Sequence, residues 1–253
     1  MIGMVLLSSW PAAPAGFHGK VPARADFIAA GLPPAVLAGW DSWLQQALSA
    51  SQARLGAAWE ACYLAAPLWR FVLSGGVCGP LPLIGVLMPS MDAVGRCFPL
   101  MLGRQLDGKA DLLALLVGSG AFFAAAEAQA LRALEGGFDP LRLGERLPPP
   151  AAAPCRLPPR AVEGAGHWVP LPALSAAPAA LAALAGAPAA PPDGPYGLWC
   201  TTGAPHLAPG VALTQGLVPP AAFAALLDGA WPQHGWSVAA PARPDAAEWD
   251  RDI

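Results

Sequence analysis

Three short apolar segments lying close together, 68–73, 83–88 and 97–102, constrain this chain's fold more than any other feature. They read LWRFVL, LIGVLM and CFPLML, and glycine or proline bounds each of them, as expected for strands. Only residues 74–82 and 89–96 connect them. A parallel crossover needs about a dozen residues or more, so these short connections favour antiparallel neighbours. On the first strand Trp69 and Phe71 share one face and Arg70 takes the other, because successive side chains alternate.

Helices must then cover that sheet. In residues 34–50, Val36, Leu37, Trp40, Trp43, Leu44, Ala47 and Leu48 recur at three- and four-residue steps, with Asp41, Ser42, Gln45 and Gln46 largely opposite. Pro33 and Pro34 stand at the start, where a missing N–H costs least. A second helix is expected over about 52–65, burying Leu55, Trp59, Cys62 and Tyr63. Residues 111–134 read as one long helix or as two broken at Gly118–Gly120, with Gly136 and Gly137 as the stop. From about 148 to 195 proline and alanine dominate. This stretch is expected to be a surface excursion held by Trp168, Val169, Leu171 and Leu174, with a short helix near Leu181. Strands follow near 196–202 and 211–217, joined by a loop holding His206, then a helix over about 220–228 that starts at Pro219-Pro220 and stops at Gly229. Two late strands alone would be marginal, so they are expected to join the early sheet. The expected architecture is one domain over 1–253, a three-layer α-β-α sandwich around a mixed, largely antiparallel sheet, with a proline-rich tail from about 232.

Composition excludes several functions. Hydrophobic residues make up 55% of the chain and charged residues 12%, about half the usual charged share. Ten tryptophans argue for a packed protein. A net charge of −3 and scattered basic residues leave no track for nucleic acid. The opening MIGMVLL carries no Lys or Arg ahead of its apolar run, so residues 1–17 are read as a first strand and not as a secretory signal. The uncharged apolar run between Asp111 and Glu127 has 15 residues, short of the roughly 20 that span a bilayer. Five cysteines without CxxC spacing suit reduced thiols in a cytoplasm better than a disulfide framework.

No phosphate-cradling glycine loop and no GxSxG elbow is present, and the four histidines lie far apart in sequence. No catalytic residue, cofactor or metal is therefore expected. A catalytic role for Cys78 or Cys97 would need a histidine alongside; small buried thiols account for both. Lys20, Arg24 and Asp26 form a charged cluster within seven residues. They form either a partner-recognition loop or an ion pair of Lys20 or Arg24 with Asp26. Arg70 either pairs with an acid such as Asp41 or Asp92, or lines a groove with Arg96 that receives an acidic or phosphorylated partner. The tail tryptophans Trp231, Trp236 and Trp249 either pin the tail to the body or anchor a partner.

Three blocks together carry a family resemblance: GFHGKVPARADFIAAGLP (16–33) running into WDSWL (40–44), YLAAPLWRFVLSGGVCGP…GVLMPSMDAVGRCFPL (63–100), and YGLWCTTG…LTQGLVPPAAFAALLDGAW (196–231). In order and spacing they resemble the TagF family, also called ImpM, which accompanies bacterial type VI secretion systems. The resemblance implies a cytoplasmic α-β-α protein without enzymatic activity. It further implies post-translational repression of secretion through the forkhead-associated (FHA) scaffold of the apparatus. The chain departs from the family pattern where Ala25 replaces a glycine before Asp26, where His18 replaces an aromatic, and where Cys200 follows Trp199 in place of a second Trp. The competing expectations are a cysteine or serine hydrolase and a structural subunit of the apparatus. Peripheral membrane attachment lacks the basic amphipathic helix it needs.

Overall fold

The structure, a computed structural model, describes residues 12–107, 111–139, 142–152, 164–172, 176–177 and 194–239. The strands are β1 (Ala12–Gly19), β2 (Ile28–Ala30), β3 (Trp69–Leu73), β4 (Leu83–Met88), β5 (Leu100–Leu106), β6 (His167–Pro170), β7 (Tyr196–Thr201), β8 (Gly210–Gln215) and β9 (Ser237–Val238). All belong to one sheet in the order β2-β1-β5-β4-β3-β7-β8-β6-β9. Every pairing is antiparallel except β6 with β9. The expected mixed, largely antiparallel sheet is therefore present, and the late strands join it through β7, which pairs with β3.

Helices cover both faces. On one side lie α1 (Pro34–Leu55), α2 (Trp59–Ala65), a 3-10 turn at Pro220–Ala222 and the short helix α6 (Ala225–Asp228). On the other lie α3 (Leu112–Gly118), α4 (Gly120–Leu134) and the short α5 (Leu143–Arg146). Strand alternation divides the core accordingly. Trp69, Phe71, Met101 and Trp199 join the α1 side with Trp40, Trp43 and Tyr63. Val72, Ile84, Leu102, Leu198 and Leu213 join the α3–α4 side with Leu115, Phe122 and Phe123. The α1 side is a block of rings: Trp40 lies 4.9 Å from Phe71 and Trp43 5.6 Å from Trp199, centroid to centroid. Room for it depends on Gly85, where a Cβ would stand 2.7 Å from Phe71 Cζ.

Several boundaries differ from the sequence reading for identifiable reasons. The expected strand 97–102 forms as Leu100–Leu106 because Pro99 has no N–H for the ladder. The helix expected at 34–50 runs on to Leu55, and Gly56, at φ 54°, ends it; the second helix therefore starts at Trp59 and not near residue 52. Within it Trp59 and Tyr63 are buried and Cys62 is half-buried, while Leu55, also half-buried, ends α1. The two-helix alternative holds for 111–134: α3, capped by Asp111 Oδ1 accepting from Leu113 N and Ala114 N, bends 70° into α4 at Ser119. The helix expected at 220–228 is a 3-10 turn followed by a single helical turn, stopped by Gly229.

The largest departure lies in the proline- and alanine-rich stretch. Trp168 and Val169 do not merely rest on the surface; they form β6, an interior strand between β8 and β9. The rest of the expected strand at 1–11, the short helix near Leu181, Leu174 and Trp249 lie outside the described residues. Among the described residues no single helix is long and apolar enough to cross a membrane.

Candidate partner-binding site

The charged cluster at Lys20–Asp26 is built where β1 ends. Gly19, at φ 143°, brings the backbone so close to Pro99 that a Cβ would stand 2.1 Å from its carbonyl oxygen. This delivers Lys20 into the protein, where it is 6% exposed. Its Nζ lies 2.9 Å from Asp92 Oδ2, not beside Asp26. The same oxygen accepts from Arg96 Nε at 2.6 Å, while Asp92 Oδ1 accepts from the backbone N–H groups of Val94 and Arg96 at 3.0 and 2.9 Å. Burial alone would push the Asp92 carboxyl up. The bonds from Lys20, Arg96 and Val94 outweigh it and hold the group well below the usual carboxylate range.

Asp92 thereby ties two loops together. Arg96 Nη2 donates to the Ala25 carbonyl at 2.6 Å, and Ala93 N donates to the Arg24 carbonyl at 2.9 Å. From behind, Ser90 Oγ donates to the Lys20 carbonyl at 2.7 Å, and Tyr63 Oη donates to the Ser90 carbonyl at 2.7 Å. The loops present Phe27, 48% exposed, and Val94, 69% exposed. Phe27 is nonetheless held: Lys20 Nζ lies 4.9 Å over its ring, Phe98 meets it edge-on at 4.7 Å, and His18 stacks on it at 5.8 Å. His18 thus packs as an aromatic ring against Phe27 and Phe98. Burial lowers its pKa, against the opposing pull of Asp41, whose Oδ1 is 3.4 Å from Nε2. Ala25 needs no glycine, since no described non-glycine residue has a positive φ.

Beside Phe27 opens a cleft of about 360 Å³, walled by Phe17, Val21, Ile28 and Phe138 as well as by Arg24 and Phe27. The Arg24 side chain, exposed at its edge, makes no hydrogen bond or ion pair with any described residue, and neither does that of Asp26.

The structure brings Lys20, Arg24, Asp26 and Arg96 together and sets Arg70 apart. Arg70 pairs with neither Asp41 nor Asp92. It points from β3 under α4, where Nε and Nη2 donate to the two Glu127 oxygens at 2.5 and 2.9 Å and the guanidinium lies 5.3 Å from the Phe123 ring. The groove expected between Arg70 and Arg96 does not form, because each arginine is committed to a different carboxylate. Sequence reasoning did not identify Asp92 as the hub. The signal was present in DAVGR, where an aspartate two and four residues before two N–H groups, with a glycine three residues on, favours this kind of side-chain-capped turn.

Elsewhere the chemistry is muted. Burial pushes the Cys78 and Cys200 thiols up to about 12, which keeps them protonated at neutral pH. His206 Nε2 lies 2.9 Å from the Leu227 carbonyl and His234 Nε2 2.8 Å from Asp228 Oδ2. Among the described residues no group of three His, Cys, Asp or Glu side chains is placed to hold a metal.

The model of the type VI secretion system-associated TagF N-terminal domain matches residues 16–148, which include every member of the braced loop pair. A crystal structure of PA0076 from Pseudomonas aeruginosa PAO1 is similar over 91% of this chain and 98% of its own, with 32% sequence identity and a TM-score of 0.65. No curated protein matches the chain. With more than half of its length matched by that family model, the chain belongs to the TagF family of type VI secretion system-associated proteins.

Proposed function

We propose that this accessory protein of a type VI secretion system is cytoplasmic and non-enzymatic, and represses secretion post-translationally by binding the FHA-domain scaffold of the apparatus. The observation that supports this reading is the braced loop pair. Asp92, Lys20 and Arg96 fix a surface that exposes Phe27 and Val94, so the ordering cost that usually weakens a loop-borne interface is already met on this side. A pinned, half-exposed aromatic is the kind of residue that anchors a protein interface. Repression of this type needs no reaction, since occupying an assembly surface on the scaffold suffices.

The test is a calorimetric titration of the protein against the FHA-domain scaffold encoded in the same cluster, phosphorylated and unphosphorylated. Saturable binding to at least one form is expected, and Phe27→Ala should weaken it about tenfold or more. Absence of heat and of co-migration with both forms would overturn the reading.

A further inference from the structure

We infer that the cleft beside Phe27 receives a linear segment of the protein partner in which a bulky apolar side chain stands next to an acidic group. This rests on the reading that the braced surface faces a secretion partner, and it adds where and by what chemistry.

Three observations carry it. Most of the cleft's lining is apolar, with Phe17, Phe27, Ile28 and Phe138 among its walls, and at about 360 Å³ it lies at the small end of ligand pockets, suited to one or two side chains. Among the described residues its lining holds one cation, Arg24, whose side chain has no partner among them, whereas the nearby cations Lys20 and Arg96 are both bound to Asp92. A guanidinium edging an apolar hollow complements a carboxylate or phosphate beside an apolar group, because its planar fork matches their oxygens. Exposed Asp26, two residues from Arg24, makes a uniformly acidic partner a poor fit. Finally, the apolar surface does not end at the cleft mouth. It continues over the outer half of Phe27, and Val94 stands exposed on the companion loop, a breadth that suits a peptide better than an isolated small molecule.

The occupant's side chain enters between Phe27 and Phe138 while its acid meets Arg24. The contact is assembled before binding, because Phe27 is held by Lys20, His18 and Phe98 and the loop backbone by Arg96.

The experiment uses a fluorescein-labelled ten-residue peptide with tryptophan and leucine flanked by glutamates, and a counterpart with glutamine at each glutamate. Both are titrated by anisotropy into the full chain, into Arg24→Glu, and into Ala23→Trp, which fills the cleft from an exposed position. Thermal unfolding confirms that the variants fold. The wild type should saturate with the glutamate peptide, bind the glutamine peptide about tenfold or more weakly, and lose comparable affinity in either variant. No binding, or equal binding across peptides and variants, would overturn the inference. The scaffold titration, repeated with Ala23→Trp, separates the two readings. Scaffold binding lost in that variant supports both. Scaffold binding unchanged by it overturns the cleft as the docking point and leaves repression standing. Peptide binding without any scaffold binding overturns the scaffold reading and leaves the cleft.

Discussion

Asp92 sits 72 residues from Lys20 in the chain and in hydrogen-bond contact with it in the fold. A run such as Lys20–Asp26 shows by its density that something is held there, but the identity of the opposing charge depends on which loops the sheet brings together. The sequence therefore offered Asp26 as a partner for Lys20, and the fold supplied Asp92. Phe27 escaped notice for the same reason, since nothing local says that an aromatic flanked by Asp26 and Ile28 stays half outside. His18 makes a testable case. Its folded-state pKa is lowered by burial, so the unfolded chain takes up a proton first on acidification. The stability it provides is present above about pH 6.5, the unfolded value, and is lost as pH falls below it. We expect the urea midpoint of the wild type to fall between pH 7 and pH 5, and His18→Phe, which keeps the ring against Phe27, to flatten that fall. An equal fall in both would show that the slope arises elsewhere.

Among the elements, α1 was the most legible, because its apolar stripe repeats over many turns and every member faces the same block of rings. Boundaries were legible at Pro33-Pro34, which start α1, and at Gly229, which stops α6, whereas the end of α1 at Gly56 and the delay of β5 by Pro99 were missed. β6 was hidden because four residues in a proline- and alanine-rich stretch give no periodicity to count; only pairing with β8 makes them a strand. Gly85 is opposite Gly103 in the β4–β5 ladder, and its missing side chain is what lets Phe71 fill the layer. Gly85→Ala would place a Cβ 2.4 Å from the Leu102 carbonyl oxygen and 2.7 Å from Phe71 Cζ. Such overpacking of a dense core costs about 1–3 kcal/mol, more where the contact is backbone. Chemical denaturation of this variant should show the loss; a wild-type midpoint would mean that the sheet yields.

For the whole molecule, the late part of the chain closes onto the early sheet through tryptophans. Trp231 stacks on Trp168 with ring centroids 4.0 Å apart and planes 9° apart, and meets Trp69 and Trp236 edge-on. Trp231 and Trp236 thus pin the chain after α6 to the body. Trp231→Ala should cost about 3–5 kcal/mol, the usual toll of emptying a buried aromatic site, and should reduce near-ultraviolet circular dichroism. A small loss would show that β6 and β9 hold without it. Local features determined the apolar face of α1, the alternation that puts Trp69 and Phe71 opposite Arg70, and the antiparallel early strands, because the first two follow from 3.6- and 2-residue repeats and the last from connections too short for a crossover. The tertiary structure alone decided that Asp92 joins Lys20 to Arg96, that Arg70 belongs to Glu127, and that a proline-rich stretch supplies an interior strand. Those outcomes depend on distances between residues far apart in sequence, which no local pattern encodes.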